Sequence, residues 1–135
     1  MDIIHQRITI VKIQKPMRQN INEELQWFGN SLGLFGLRDK DQSCFRIFIE
    51  LLKATKSKEG LTSDEIAYKL DLSRGTVMHH VNKMIDAGIV ISHKNRYLLR
   101  GGKLQYIIEE LRKDMERTFA DIESASKEID DEMGL

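Results

Sequence analysis

Two adjacent histidines, His79 and His80, lie in the middle of the stretch SRGTVMHHVNKMIDAGIV, which spans residues 73–90. Imidazole rings can bind a metal ion, exchange protons in catalysis or contact a nucleic acid. A helix turns by about 100° per residue, so adjacent side chains leave it in different directions. Two histidines on a helix that share one metal ion need the i, i+4 spacing instead. The spacing therefore disfavours a metal site built on this pair.

Other residues with catalytic or metal-binding chemistry are sparse. Cys44 is the only cysteine, which excludes an internal disulfide and fits a reducing, cytoplasmic compartment. We interpret it as a small buried apolar residue rather than a redox thiol. Residues 103–135 contain neither histidine nor cysteine, and the chain has no phosphate loop and no nucleophile elbow. We therefore predict no catalytic residues, no metal ligands and no cofactor.

Charge is strongly segregated although the formal net charge is zero. Residues 73–103 carry six lysines and arginines against one aspartate, whereas residues 109–135 carry four basic against ten acidic residues. A basic middle beside an acidic tail is typical of a local surface for a polyanion, although solvated charge without a partner explains the same counts. No apolar run approaches the roughly 18 residues of a membrane span.

Start and stop signals define the elements around the histidines. Thr62 to Glu65 reads T-x-x-E, a capping box that begins a short helix through Leu70. Ser73 is a good N-cap for a second helix that runs to about Ala87, with Gly88 in the C′ position. Two β-type runs, 89–92 and 97–100, then flank the polar segment 93–96. The pattern predicts two short helices joined by a tight turn and followed by a hairpin.

A helical wheel separates two faces of the second helix. The inward face comprises Val77, Val81, Met84 and Ile85, and His79 lies almost opposite its centre. His80 lies at the boundary between the faces. We therefore expect the two histidines to have different roles, with only His79 pointing fully outward.

The order of these elements is that of a helix-turn-helix followed by a wing. The segments LTSDEIAYKLDLSRGTVMHHVNKMIDAGIV and KNRYLLR resemble the winged helix-turn-helix transcription regulators, especially the arsenic-repressor-like branch and its archaeal members. The resemblance extends over roughly residues 42–100. It implies a mainly α fold with a small β-hairpin, and a regulator that binds double-stranded DNA with specificity for sequence.

The resemblance also implies which residues meet DNA. Thr76 and His79 would lie near base edges in the major groove, Gly75 would let the backbone approach, and Lys83 would contact phosphate. The wing tip would touch the backbone or the minor groove. The complete predicted set is Ser73, Arg74, Gly75, Thr76, His79, His80, Lys83, Lys94, Asn95 and Arg96.

The remaining segments complete a three-part organisation. Residues 1–15 are rich in β-branched residues and predict a strand or extended arm, expected to pair with another segment, for example one of a second protomer, or to be disordered. Residues 16–102 form the winged domain, with a helix from Pro16 to about Leu32, a glycine-rich helix stop and a core helix over 41–54. Residues 103–135 predict one long helix.

A heptad seam runs along the long helix. Leu104, Ile108, Leu111, Met115, Thr118, Ile122, Ala125 and Ile129 alternate at spacings of four and three. This pattern favours dimerisation, with Leu104, Ile108, Leu111, Met115, Ile122 and Ile129 as contacts. Packing of the helix on its own domain is the alternative.

A homodimeric DNA-binding regulator is thus the leading interpretation. A winged-helix module that binds protein within a transcription or chromosome complex is the alternative, which the basic recognition helix and wing disfavour. The sequence indicates neither the operator, nor an effector, nor whether binding represses or activates.

Overall fold

Five helices and one antiparallel hairpin make up the computed structural model, which describes residues 5–17, 20–36 and 42–135. The elements follow in the order α1 Ile21–Ser31, α2 Ser43–Ala54, α3 Ser63–Leu70, α4 Arg74–Asp86, β1 Val90–His93, β2 Arg96–Leu99 and α5 Leu104–Met133. Short 3₁₀ turns, Thr55–Ser57 and Arg100–Gly102, follow α2 and β2. The mainly α winged helix-turn-helix architecture with a long final helix is confirmed.

Side-chain caps fix the two helices of the helix-turn-helix. Thr62 Oγ1 accepts a hydrogen bond from the Glu65 amide at 3.1 Å, and Ser73 Oγ accepts one from the Thr76 amide at 3.1 Å. Each cap satisfies an amide that has no partner within its helix. Gly88, at φ +80°, ends α4 in the left-handed conformation that glycine adopts without strain. The predicted caps are confirmed.

Each strand of the hairpin lies one residue closer to the turn than predicted, while the centre of the hairpin is unchanged. Val90 pairs with Leu99 and His93 with Arg96, so the turn contains only Lys94 and Asn95. Both turn residues have positive φ, 52° and 63°, which is the backbone of a tight two-residue turn whose twist matches the strands. The exposed tip is therefore two residues long, not four.

The core is centred on α2, which packs against α3, α4 and β2. Ile47, Phe48 and Leu51 of α2 are essentially inaccessible, and so are residues from the other elements, namely Ile66, Val77, Val81, Met84, Ile89, Val90, Leu99 and Ile107. Cys44 is buried with them, as predicted. The domain therefore holds α3, α4 and the hairpin on a common apolar support.

The first helix begins later than predicted. Asn20 caps α1 by accepting the Glu23 amide at 2.9 Å, so Pro16 and Met17 precede the helix instead of forming its first turn. Met17 is fully exposed and Ile21 is largely exposed, so these two members of the predicted stripe do not pack. The predicted start of α2 at Asp41 lies outside the described residues, within which α2 begins at Ser43.

The N-terminal arm is extended but is not a strand. Within residues 5–17 no ladder forms, and isolated hydrogen bonds fasten the arm to its own chain instead. The Arg7 amide donates to the Asp86 carbonyl at 2.8 Å, the Val11 amide donates to the Ser31 carbonyl at 2.8 Å, and Trp27 Nε1 donates to the Ile13 carbonyl at 3.1 Å. Within these residues the arm finds hydrogen-bond partners in α1 and α4 of its own chain, and pairing with a second protomer remains a prediction.

The long helix α5 has two different halves. Ile107 and Leu111 are buried in the domain core, with Leu104 and Ile108 half-buried beside them. Every residue from Glu116 onward is exposed. The N-terminal part of the predicted seam thus packs within the chain, as the alternative interpretation held. No helix among the described residues is long and apolar enough to cross a membrane.

Candidate nucleic-acid interface

The burial of α4 follows the predicted wheel. Val77, Val81 and Met84 are completely buried, whereas Arg74, Gly75 and His79 are exposed. Thr76 and His80 are half-buried at the edge of the exposed face. The helix therefore rests on α2 and α3 through one face and leaves the N-terminal part of the other face open to solvent.

The first turn of α4 is open and locally ordered. Ser73 Oγ donates to Thr76 Oγ1 at 2.8 Å and accepts from the Thr76 amide, so both hydroxyls have fixed positions. A methyl group added to Gly75 would find only Ser73 Oγ, at 4.0 Å, which leaves the backbone accessible to a large ligand. Arg74 Nε lies 3.7 Å from Asp64 Oδ1, and both side chains are mostly exposed. An exposed ion pair of this kind contributes little to folding stability. Arg74 can therefore bind another anion in place of Asp64.

The two histidines are closer than the wheel alone suggested. Their rings meet edge to face, with centroids 5.1 Å apart and planes inclined by 67°. The expectation that the rings point apart is corrected to this extent, because the two rings are in contact. His79 remains exposed and His80 remains half-buried, so the predicted difference in accessibility holds.

Two of the predicted phosphate contacts are hydrogen-bonded within the chain. Lys83 Nζ donates to the Leu34 carbonyl at 3.0 Å. Arg96 Nη1 donates to the Gly60 carbonyl at 3.2 Å and lies 3.4 Å from Glu65 Oε1. Both cations therefore hold the loops that precede α2 and α3 in place, a role that the wheel and the hairpin pattern could not reveal.

The hairpin is fixed to the helix-turn-helix by its second strand. The Leu61 amide donates to the Tyr97 carbonyl at 3.0 Å, and the Tyr97 amide donates back to Leu61 at 2.8 Å. The Tyr97 hydroxyl also donates to Met78 Sδ at 3.5 Å, so Met78 contacts the hairpin as well. Lys94 and Asn95 are exposed at the tip. These contacts hold the wing tip at a defined position relative to α4.

One exposed residue was missed in the sequence. Tyr68 of α3 is 90% exposed, and it is the most exposed aromatic residue among those described. The first helix of a helix-turn-helix crosses the DNA backbone, where a phenol can donate to phosphate. An aromatic residue on the polar face of a short helix is the signal that could have indicated it.

Metal binding gains no support from the geometry. Among the described residues no three or more histidine, cysteine, aspartate or glutamate side chains are grouped so that they could hold an ion. The candidate interface therefore consists of hydroxyls, imidazoles, a free backbone segment and basic side chains.

Comparison with known families agrees with this geometry over part of the chain. Residues 44–93 match the model of a family described as a helix-turn-helix domain, which spans α2 through β1. No curated protein and no solved structure matches the chain. The match covers more than a third of the sequence and carries no information about the source organism. The chain thus carries a helix-turn-helix domain, the kind of domain that typically binds DNA.

Proposed function

We propose that this protein is a sequence-specific regulator that binds double-stranded DNA as a homodimer. The observation that carries the proposal is the open N-terminal half of α4, which lies within the segment that matches a helix-turn-helix family and packs against the wing. A major groove accepts one helix, and this part of α4 is the part that such domains insert.

Base contacts are assigned to the open turn. His79 and Thr76 present an imidazole and a hydroxyl that can donate to or accept from base edges. Gly75 lets the helix approach the groove closely, because no side chain intervenes. Ser73 and Arg74 lie at the helix N-terminus, where the free amides and the helix dipole also favour phosphate. His80 is assigned to bracing His79 through the ring contact.

The wing contact is assigned first to Lys94 and Asn95. Neither forms a side-chain hydrogen bond or ion pair with any residue that the structure describes, and both project from a tight turn. Arg96 and Lys83 are assigned secondary roles at phosphate, since each already donates to a backbone carbonyl. We add Tyr68 as a phosphate contact from α3.

The distal half of α5 supports the homodimer. Phe119, Ile122, Ile129 and Met133 are each more than half exposed and recur at coiled-coil spacings. A helical segment without tertiary contacts is only marginally stable in water, so a partner helix would stabilise it. A second copy of α5 offers the same apolar stripe. Two copies would bring two recognition helices to successive turns of one duplex, about 34 Å apart.

Selection of bound duplexes from a random pool tests the proposal most directly. The expected result is enrichment of a two-fold symmetric site whose half-sites are about one helical turn apart. Affinity for the selected site should fall steeply with salt, by roughly 0.9 log unit per log unit of salt for each phosphate contacted. Absence of enrichment together with salt-independent binding would refute DNA recognition. Enrichment of a single half-site would refute only the dimer.

A further inference from the structure

A cleft of about 430 Å³ opens beside the wing. It lies between the C-terminal end of α2, the hairpin and the turn that leads into α5. Its walls are formed mainly by apolar side chains, among them Leu51, Ala54, Ile91, Leu98 and Leu99. This volume lies within the range of small-molecule sites, which are about 300–1,000 Å³.

The hairpin has apolar side chains on the face that does not pack against the core. Val90 and Leu99 are cross-strand partners and are buried in the core. The next pair, Ile91 and Leu98, lies on the opposite face of the hairpin, because side chains alternate along a strand. Ile91 is 46% exposed, and both residues line the cleft. On this outer face Ile91 is thus nearly half exposed, whereas Leu98 is half-buried beside Gly60.

The other boundaries of the cleft are open or basic. Gly101 and Gly102 line it with backbone alone, and both have positive φ. Lys58 and Lys103 line the cleft from two separate loops, and both are exposed. Neither lysine forms an ion pair with any residue in the described part of the chain. The cleft therefore combines an apolar body with two free ammonium groups.

We infer that this cleft binds a small amphipathic carboxylate, with its apolar part against Ile91 and Leu98 and its carboxylate near Lys58 and Lys103. Apolar walls favour a hydrocarbon chain or ring, and two lysines among the lining residues favour a negative head group over a neutral one. The ligand would touch both the wing and the turn before α5. The inference does not depend on DNA binding, since it rests only on the walls of the cleft.

Calorimetric titration of the full-length protein, without DNA, tests the ligand class. Octanoate is the probe, with hexanoate, acetate and 1-octanol as comparisons. Octanoate should saturate one site, and hexanoate should bind roughly tenfold more weakly because it buries two fewer methylene groups. Acetate should not saturate. Equal affinity for octanoate and octanol would overturn the assignment of a carboxylate, and absence of saturation by octanoate would overturn the site.

Paired variants test the location. Ile91→Glu places in the apolar wall a carboxylate of the same charge as the ligand's head group. It should weaken octanoate binding by at least about tenfold. Ser92→Glu adds the same charge on the other face of the same strand and should change affinity little. The double variant Lys58→Gln, Lys103→Gln should weaken binding several-fold, whereas Lys56→Gln on the adjacent turn should not.

Circular dichroism should show that all these variants fold. Methyl NMR shifts of Ile91 and Leu98 on addition of octanoate provide a second measure of location that needs no variant. Octanoate affinity that is equal in Ile91→Glu and Ser92→Glu, or shifts confined to methyl groups outside the cleft, would overturn the inference.

Discussion

Arg100, which follows the second strand of the wing, donates a hydrogen bond from Nη1 to Asp114 Oδ2 of α5 at 2.8 Å. The same guanidinium donates to the Gly88 carbonyl at 3.3 Å, beyond the end of α4. Gln6 of the arm donates to Asp114 Oδ2 at 3.2 Å. One carboxylate and one guanidinium therefore join the wing, the recognition helix, the arm and the long helix.

The pKa shifts of Arg100 and Asp114 agree with the hydrogen bond between them. The hydrogen bond from Arg100 lowers the pKa of Asp114 below its usual value. Burial acts in the opposite direction, and the hydrogen bond from Gln6 lowers the pKa further. The same hydrogen bond raises the pKa of Arg100, against burial, which lowers it. Both groups thus stay charged at neutral pH, where the pair links the end of the wing to α5.

Asp114→Asn should destabilise the folded chain by about 2 kcal/mol at pH 7, because a charge-assisted hydrogen bond is lost beside a partly buried guanidinium. The folded pKa of Asp114 lies below its unfolded value. Its contribution is therefore complete above the unfolded pKa, about 4, and disappears as pH falls through the folded pKa. Urea unfolding at neutral and acidic pH measures both effects.

Asp121→Asn is the matched control for that experiment. Asp121 lies two helical turns further along α5, is exposed and forms no side-chain hydrogen bond or ion pair with the residues the structure describes. Its replacement should leave the free energy of unfolding almost unchanged. Equal stability of the two variants at pH 7 would show that the Arg100–Asp114 pair contributes nothing to the junction.

Lys94→Gln should weaken binding to every duplex by a similar factor. A phosphate contact carries no sequence information. Its loss should reduce the slope of log affinity against log salt concentration by about 0.9. Binding isotherms on the selected site and on random duplex, at several salt concentrations, measure this. Lys127→Gln on distal α5 removes the same charge far from the wing and should leave both slopes unaltered. An unaltered slope in Lys94→Gln would remove the wing tip from the interface.

His79→Ala should alter preference among sequences rather than affinity for all of them. A base contact is typically worth about 1–3 kcal/mol of discrimination at its own position. Repeating the duplex selection with the variant should therefore relax one position in each half-site. His93→Ala removes an exposed histidine from β1 and should leave the selected sequence unchanged. A uniform loss of affinity with an unchanged site would assign His79 to the backbone instead.

The sequence predicted best those elements whose signals are local. Thr62, Ser73 and Gly88 each act within one helical turn, so the bounds of α3 and α4 followed from residue type alone. The inward face of α4 followed from periodicity. The exposure of Gly75 and His79 on α4 therefore followed from the sequence, whereas that of Tyr68 on α3 did not.

Local signals of this kind could not predict contacts between segments that are distant in the sequence. Lys83 donates to Leu34, and Arg96 donates to Gly60, and neither distant carbonyl is marked by its residue type. The start of α1 was misplaced because Pro16 and Asn20 are both acceptable near a helix start, and the Asn20 cap prevails. The heptad seam was continuous in sequence but divided in the fold, because Ile107 and Leu111 meet the core first.

Ile122→Glu together with Ile129→Glu should convert a dimer into a monomer. The two isoleucines are 59% and 55% exposed in the single chain, so their replacement leaves the domain core intact. In a paired helix the new carboxylates would face each other across an apolar seam. Sedimentation equilibrium at micromolar concentration should show a dimer for the wild type and a monomer for the variant. Far-ultraviolet circular dichroism should show less helix in the variant, since an isolated distal segment is marginally stable.

Ser124→Glu is the control, because it adds a glutamate, one charge instead of two, at an exposed position on the opposite side of α5. It should remain dimeric. The loss of dimerisation should also reduce affinity for the two-fold symmetric DNA site much more than affinity for a half-site, because linked binding of two domains raises the effective concentration of the second. A monomeric wild type, or a dimer that survives both glutamates, would show that the exposed stripe of α5 does not hold two copies together.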